Sequence, residues 1–237
     1  MSKLNVLDDL LVRYHQLQYH QNALLRQRLN DVQTWQKKRL LETHQCLFNQ
    51  KNHQALAQYF VHRLYGGPDF DLIAVQIERL IHHAHKIEHI IPASALQTGT
   101  HGIELSILAV ELDEQVAQQV LRDYPQSTEI TDDVMRSTYM QINQKELRLK
   151  QLKMTDELGT HLDQYVKSFM LNTAFKLCKP MAYKHHFHMM YDFIYDGLVA
   201  LKPLKCTADF VNRFTEQERH VLLKVHNGHQ NPFRSSS

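Results

Sequence analysis

Sixty-five residues pass before the first glycine, Gly66, and the first proline is Pro68. Only seven glycines and six prolines occur among 237 residues. A chain so short of turn formers cannot reverse direction every eight to twelve residues, as a sandwich or barrel of short strands must. Within the uninterrupted stretch the apolar residues recur at three and four: Leu4, Leu7, Leu11 and Tyr14, then Leu25, Leu29, Val32 and Trp35. That spacing places them on one face of a helix. Alternating apolar and polar runs are nearly absent. The expectation is an all-α protein, a single-domain bundle of roughly seven or eight helices over 1–228 with a disordered tail over 229–237.

The remaining punctuation divides the chain. A first helical block runs to about Asn49, broken once. A helix from His53 to Tyr65 is closed by GGPDF, and another, capped by Asp69 or Asp71, ends at Pro92. PASALQTGTHG reads as a loop leading into a helix over 103–123. Thr131, followed by two aspartates, reads as a helix N-terminus. That segment runs to Pro180, with a break at Gly159. A helix spans 181–201, and Thr215-x-x-Glu218 reads as the capping box of a last helix that Gly228 ends.

Basic and acidic residues nearly cancel, at 27 and 25, so no strong field argues for nucleic acid or an anionic membrane. The one basic stretch, KELRLKQLK with Lys145, Arg148, Lys150 and Lys153, lacks aromatic interleaving and reads as a solvated helix face. The first residues place acids where a secretory signal would be apolar, and no run reaches the 18 uncharged apolar residues of a membrane span. Three well-separated cysteines, Cys46, Cys178 and Cys206, fit reduced thiols in a cytoplasm. The expectation is a cytoplasmic protein.

Residues 59–66, YFVHRLYG, resemble the motif FFLEELYG of the FFLEELY motif proteins, a bacterial family of uncharacterised helical proteins. Phe60, Leu64, Tyr65 and Gly66 match, while Tyr59 and Val61 are conservative replacements. WQKKRL at 35–40, PDF at 68–70, ELSILAVELDEQVA at 104–117 and DFIYDGLVAL at 192–201 extend the likeness over roughly Trp35 to Arg219. The resemblance implies an all-helical fold and no established activity. The two central acids of that motif fall at His62 and Arg63 here. On a helical wheel Leu56, Phe60 and Leu64 form one stripe, which suggests a packing helix stopped by Gly66.

Seventeen histidines raise the question of a metal. In HHAHKIEH, residues 82–89, the set Glu78, His82, His85 and His89 makes one stripe opposite Ile73, Ile77, Leu80, Ala84, Ile87 and Ile91. Histidines spaced i,i+4 can share an ion, but a stripe opposite the apolar face is first of all the wet side of a helix. His85-Lys-Ile-Glu88-His89 also matches H-x-x-E-H, the inverzincin zinc signature, with Glu157 at a loose distance for a third ligand. That fold needs a sheet, and the peptidase reading fails on it. A second stripe, His185, His188, Asp192 and Asp196, could suit zinc, iron or nickel, or simply stabilise an exposed helix. No Glu-x-x-His pair supports a di-iron bundle.

No catalytic constellation stands out, so no catalytic residue is assigned and no organic cofactor is expected. The leading expectation is a non-enzymatic bundle acting through a protein partner, or through a homodimer seamed by the N-terminal helices. A metal-binding protein using the two stripes is the alternative. A small-ligand binder, with a cavity between helices lined by Tyr, Phe and Met, is the third.

Overall fold

The computed structural model describes residues 5–65, 69–82 and 93–234, and among them every regular element is helical. In chain order these are α1 (Asn5–His15), α2 (Ala23–Thr43), α3 (Gln45–Phe48), α4 (Gln54–Tyr59), α5 (Asp69–His82) and α6 (Ala93–Asp123). There follow α7 (Asp132–Ile142), α8 (Lys145–Lys167), α9 (Phe169–Leu177), α10 (Lys179–Lys184), α11 (His188–Leu201) and α12 (Thr207–His226). The all-α class is as expected, but the chain is cut into more pieces than seven or eight.

The N-terminal apolar stripe is consumed by the fold. Leu7, Leu11 and Tyr14 of α1, with Leu25, Leu29, Val32 and Trp35 of α2, are all buried, and they join Ile77, Val116, Val120 and Met135 in one core. A homodimer seam along these positions is therefore already occupied by the chain itself. Arg28, also buried, donates to the carbonyls of Gln126 and Thr128 in the loop before α7 and pairs with Asp31 one turn on at 3.5 Å. Trp35 Nε1 donates to Asp132 Oδ1 at 3.0 Å. A second core gathers Leu40, Phe48, Leu56, Val61, Leu198, Phe210 and Phe214 beneath α4, α11 and α12.

Several boundaries differ from those the sequence suggests, each for a local reason. Residues 93–102 are not a loop but the first turns of α6, in spite of Gly99 and Gly102. Packing along α2 and α8 outweighs the roughly 1 kcal/mol that each helical glycine costs. No break falls at Gly159; the segment is cut at Ser168 and Cys178 and, earlier, at Asn143, which ends α7 in the left-handed region at φ 45°. Asparagine tolerates that conformation better than most residues. The segment 181–201 is interrupted by His185, His186 and Phe187, with His186 at φ 61°. Thr215 sits in the middle of α12, which begins at Thr207, so Thr215-x-x-Glu218 caps nothing. Thr131 and Gly228 behave as expected: the Thr131 side chain accepts from Val134 N, and Gly228 follows α12 at φ 75°. The tail also differs, because Phe233 is buried against Trp35 and Tyr139, and Thr43 Oγ1 donates to its carbonyl at 2.8 Å.

Gly159 has a packing role in α8. A Cβ there would lie 2.8–2.9 Å from Cβ, Cγ1 and Cγ2 of Val211 on α12. A β-branched neighbour is stiff and cannot swing aside. Gly159→Ala should therefore destabilise the protein by about 1–2 kcal/mol, although alanine is the better helix former. Gly99→Ala, whose Cβ meets nothing within 4 Å, should be neutral or gain up to about 1 kcal/mol. Urea midpoints of the two variants check this.

Candidate functional site

The stretch YFVHRLYG does not finish as an α-helix. After Tyr59 the chain widens into a π turn over Phe60–Leu64, with Tyr65 N donating to the carbonyl of Phe60 at 2.9 Å. The extra residue rotates the wheel, so Val61 is buried while Leu64 is exposed, and the expected 56/60/64 stripe is broken. Gly66 lies outside the described residues. The shift has a consequence at Tyr65, whose hydroxyl donates to Asp113 Oδ2 at 2.6 Å.

Asp113 belongs to a cluster of charges in the interior, where α2, α6, α7, α8 and α12 meet. It is 2% exposed on α6 and pairs with Arg148 of α8 at 3.4 Å. The Arg148 guanidinium also lies over the Tyr139 ring, 4.9 Å from its centroid. Beside it, Arg39 of α2 donates to Glu218 of α12 at 2.5 Å and, through Nε and Nη2, to Gln36 Oε1. The fully buried His44 places Nε2 2.7 Å from the same Glu218 oxygen. Gln36 Nε2 donates to the Tyr139 hydroxyl, which joins the two pairs into one network.

The electrostatics differ between the two carboxylates. Burial pushes Asp113 up, and Arg148 and Tyr65 offset this only in part. Burial acts in the same direction on Glu218, but Arg39 and His44 outweigh it and hold that carboxyl down, at about 2. Burial also pushes the Tyr139 phenol up to about 12 and Tyr65 well above its ordinary value. Part of this network, Gln36, Arg39, Tyr139, Arg148 and Glu218, lines a cavity of about 70 Å³ together with Gln144 and Phe233, whereas Asp113, Tyr65 and His44 do not. Its walls mix these polar groups with Leu152, Val221, Leu222 and Val225 and include Tyr139 and Phe233 but no methionine.

The sequence-derived metal candidates fall elsewhere. Glu78 and His82 are exposed on α5, with His82 Nδ1 bonded to the Glu78 carbonyl at 2.8 Å, while Ile73, Ile77 and Leu80 are buried opposite. His85, Glu88 and His89 lie outside the described residues, and the H-x-x-E-H match with them. The second stripe is not one stripe. His185 sits in the turn before α11, Asp192 accepts from the Tyr183 hydroxyl at 2.8 Å, and Asp196 pairs with Arg63. Among the described residues no three His, Cys, Asp or Glu side chains come together as metal ligands. Glu157 pairs with Lys153 at 3.7 Å. Of the basic stretch 145–153, Arg148 is an interior residue rather than part of a wet face.

A different feature emerges on the surface. α9 contributes no fully buried residue among those described, and Phe169, Met170 and Leu177 are 84%, 80% and 74% exposed. Met181, Tyr183, Met189, Ile194 and Val199 on α10 and α11 are exposed as well. Tyr191 of α11 joins the three helices: Phe175 of α9 stacks on it at 4.5 Å, and Tyr183 of α10 meets it edge-on at 6.4 Å. No helix of the described residues is long and apolar enough to cross a membrane.

Residues 16–232, nearly the whole of this helical body, match a family described as Domain of unknown function (DUF8198). The chain belongs to that family. The match takes in both the DUF8198 chain's buried charge cluster and its exposed α9–α11 face. No curated protein and no solved structure matches it.

Proposed function

We propose that this is a non-enzymatic cytoplasmic protein that works by contact with a second protein, docked on the face formed by α9, α10 and α11. The exposure of Phe169, Met170 and Leu177 carries the reading. Large apolar side chains clustered in water mark an interaction surface more often than chance scatter. The chemistry of the rim names the partner's character. Residues 176–188 include Lys176, Lys179, Lys184, His185, His186 and His188, all exposed, and no acid. The nearby Asp192 and Asp196 are taken up by Tyr183 and Arg63. An amphipathic helix with acidic flanks complements both features, its apolar side on the patch and its acids over the lysines. The likeness of YFVHRLYG to the FFLEELY motif proteins belongs to the same proposal, with the motif serving packing.

A photo-crosslinking residue placed at Leu177 or Ile194, in cells, tests this. Leu147, exposed on α8 and about 30 Å from Lys167 along that helix, is the control. One protein with an acidic amphipathic segment should be captured at both test positions and not at the control. Its binding in vitro should weaken as salt rises. Adducts to lipid or to a second copy, no adduct, or the same adducts at Leu147 would reject the reading.

A further inference from the structure

The turn between α10 and α11 sets three imidazoles at the edge of the apolar face. His185, His186 and His188 are all exposed. His186 stands in the left-handed region at φ 61°, a conformation that a residue other than glycine keeps only where its surroundings hold it. Arg79 of α5 supplies the hold. Its two terminal nitrogens donate to the carbonyls of His186 and His185, both at 3.4 Å, and its guanidinium lies 5.5 Å from the centroid of the buried Phe187 ring. Phe187 N donates to the Ala182 carbonyl at 2.7 Å, and Met190 N to Gln76 Oε1 at 3.0 Å. The backbone of the turn is fixed in this way while its imidazoles stay in water. Among the described residues no hydrogen bond or ion pair engages them. The His188 ring lies 5.7 Å from that of Tyr183, a member of the exposed face, so imidazoles and face form one surface.

The surrounding charges leave these imidazoles as the variable part of the rim. α10 carries Lys179, Lys184 and Tyr183, whose hydroxyl occupies Asp192 of α11 at 2.8 Å. α5 carries Arg79, with Glu78 and His82 exposed on the same helix. Lysine and arginine are fixed charges across the neutral range. Imidazole is the ordinary side chain that changes charge between about pH 5 and 8.

We infer that docking at this face is pH-dependent, tightening as pH falls from about 8 to about 6 because His185, His186 and His188 gain charge opposite the acids of the docked segment. The inference rests on the proposed reading of the face. Its sign follows from linkage. Carboxylates across the interface favour protonated imidazoles, so the complex holds more protons than its free parts and affinity rises on acidification. Affinity levels off once the imidazoles are charged, and falls near about pH 4 as the partner's own carboxylates are neutralised.

The probe is a synthetic amphipathic peptide of about five helical turns, leucine on one face and glutamate on the other. Its affinity for the full chain, from fluorescence anisotropy at constant ionic strength, should be about eightfold higher at about pH 6 than at about pH 8, each exposed ion pair being worth about a factor of two. His185→Gln/His188→Gln, which leaves the left-handed residue alone, should shrink that gain to about twofold. Calorimetry of the wild-type protein at about pH 7, in two buffers of different ionisation enthalpy, should show net proton uptake on binding and depends on no variant folding. Equal affinity at both pH values, a gain that the double variant keeps, or no proton uptake would overturn the inference and leave the docking reading standing. Binding that Leu177→Glu leaves unchanged would place the peptide elsewhere, and that result, like no binding at either pH, would overturn both.

Discussion

Glu218→Ala should lower the unfolding free energy by about 3–5 kcal/mol. The carboxylate is the common partner of Arg39 and His44. Removing it leaves the Arg39 guanidinium buried with only Gln36 Oε1 for company. The loss is mostly the cost of an uncompensated interior charge, not the worth of one contact. Arg39→Met together with Glu218→Leu should therefore recover much of it, since an apolar pair of similar volume buries no charge. Urea midpoints of the single and double variants measure both effects.

Acid titration gives the same network a second test. The Glu218 carboxyl is held down at about 2 in the folded chain, below its unfolded value of about 4.3. Its contribution is complete above the unfolded value and is lost as pH falls towards about 2. Asp113 has the opposite sign. Its carboxyl is raised by burial, so the folded state keeps that proton at a higher pH, and acidification through this window favours folding. Between about pH 5 and 2 these two carboxyls therefore act on stability in opposite directions. Glu218→Gln should flatten the acid loss, and Asp113→Asn should steepen it.

The second large effect is expected at the other end of the chain. Phe233→Ala should destabilise by about 3 kcal/mol, as a core truncation does. Phe233 is 5% exposed, with its ring 4.9 Å from that of Trp35 and 6.3 Å from that of Tyr139. Trp35 is the only tryptophan of the chain, so its fluorescence reports the site directly. The variant's emission should shift to the red as water reaches the indole. An unchanged spectrum and midpoint would mean that the last residues rest on the core without stabilising it.

These residues also mark where reading the sequence works and where it does not. The helical class follows from spacing, because Leu7, Leu11, Leu25, Leu29 and Val32 obey one rule and all are buried. The outward placement of Glu78 and His82 follows from the same wheel. What spacing cannot reveal is the partner of a polar residue far away in the chain. Nothing in the spacing singles out Arg39, and Glu218 satisfies a local capping pattern. They meet only because α2 and α12 both face the gap beside α8. Arg148 stands among lysines in sequence, although the Tyr139 ring and Asp113 hold it inside.

Local conformation set the remaining limit. The π turn at Phe60–Leu64 changes the register by one residue, and the turn at His185–Phe187 separates His185 from α11. Both defeat a wheel drawn at 100° per residue. No Gly or Pro announces either one, whereas Gly228 announces the end of α12. The exposure of the α9–α11 face is not legible in sequence, because its apolar residues look like those of any core helix.

The pairing of Arg39 with Glu218 spans 179 residues, and that separation has a consequence during synthesis. At about 5–20 residues per second, some 10–35 s elapse between making one partner and the other. Throughout that interval Arg39 and His44 have no carboxylate to meet, and the apolar face of α2 has no reason to close around them. The nascent chain must keep this junction wet until α12 arrives. Completion of the interior is thus timed by its last long helix, and a stalled or truncated product would carry the Arg39 guanidinium at an open seam.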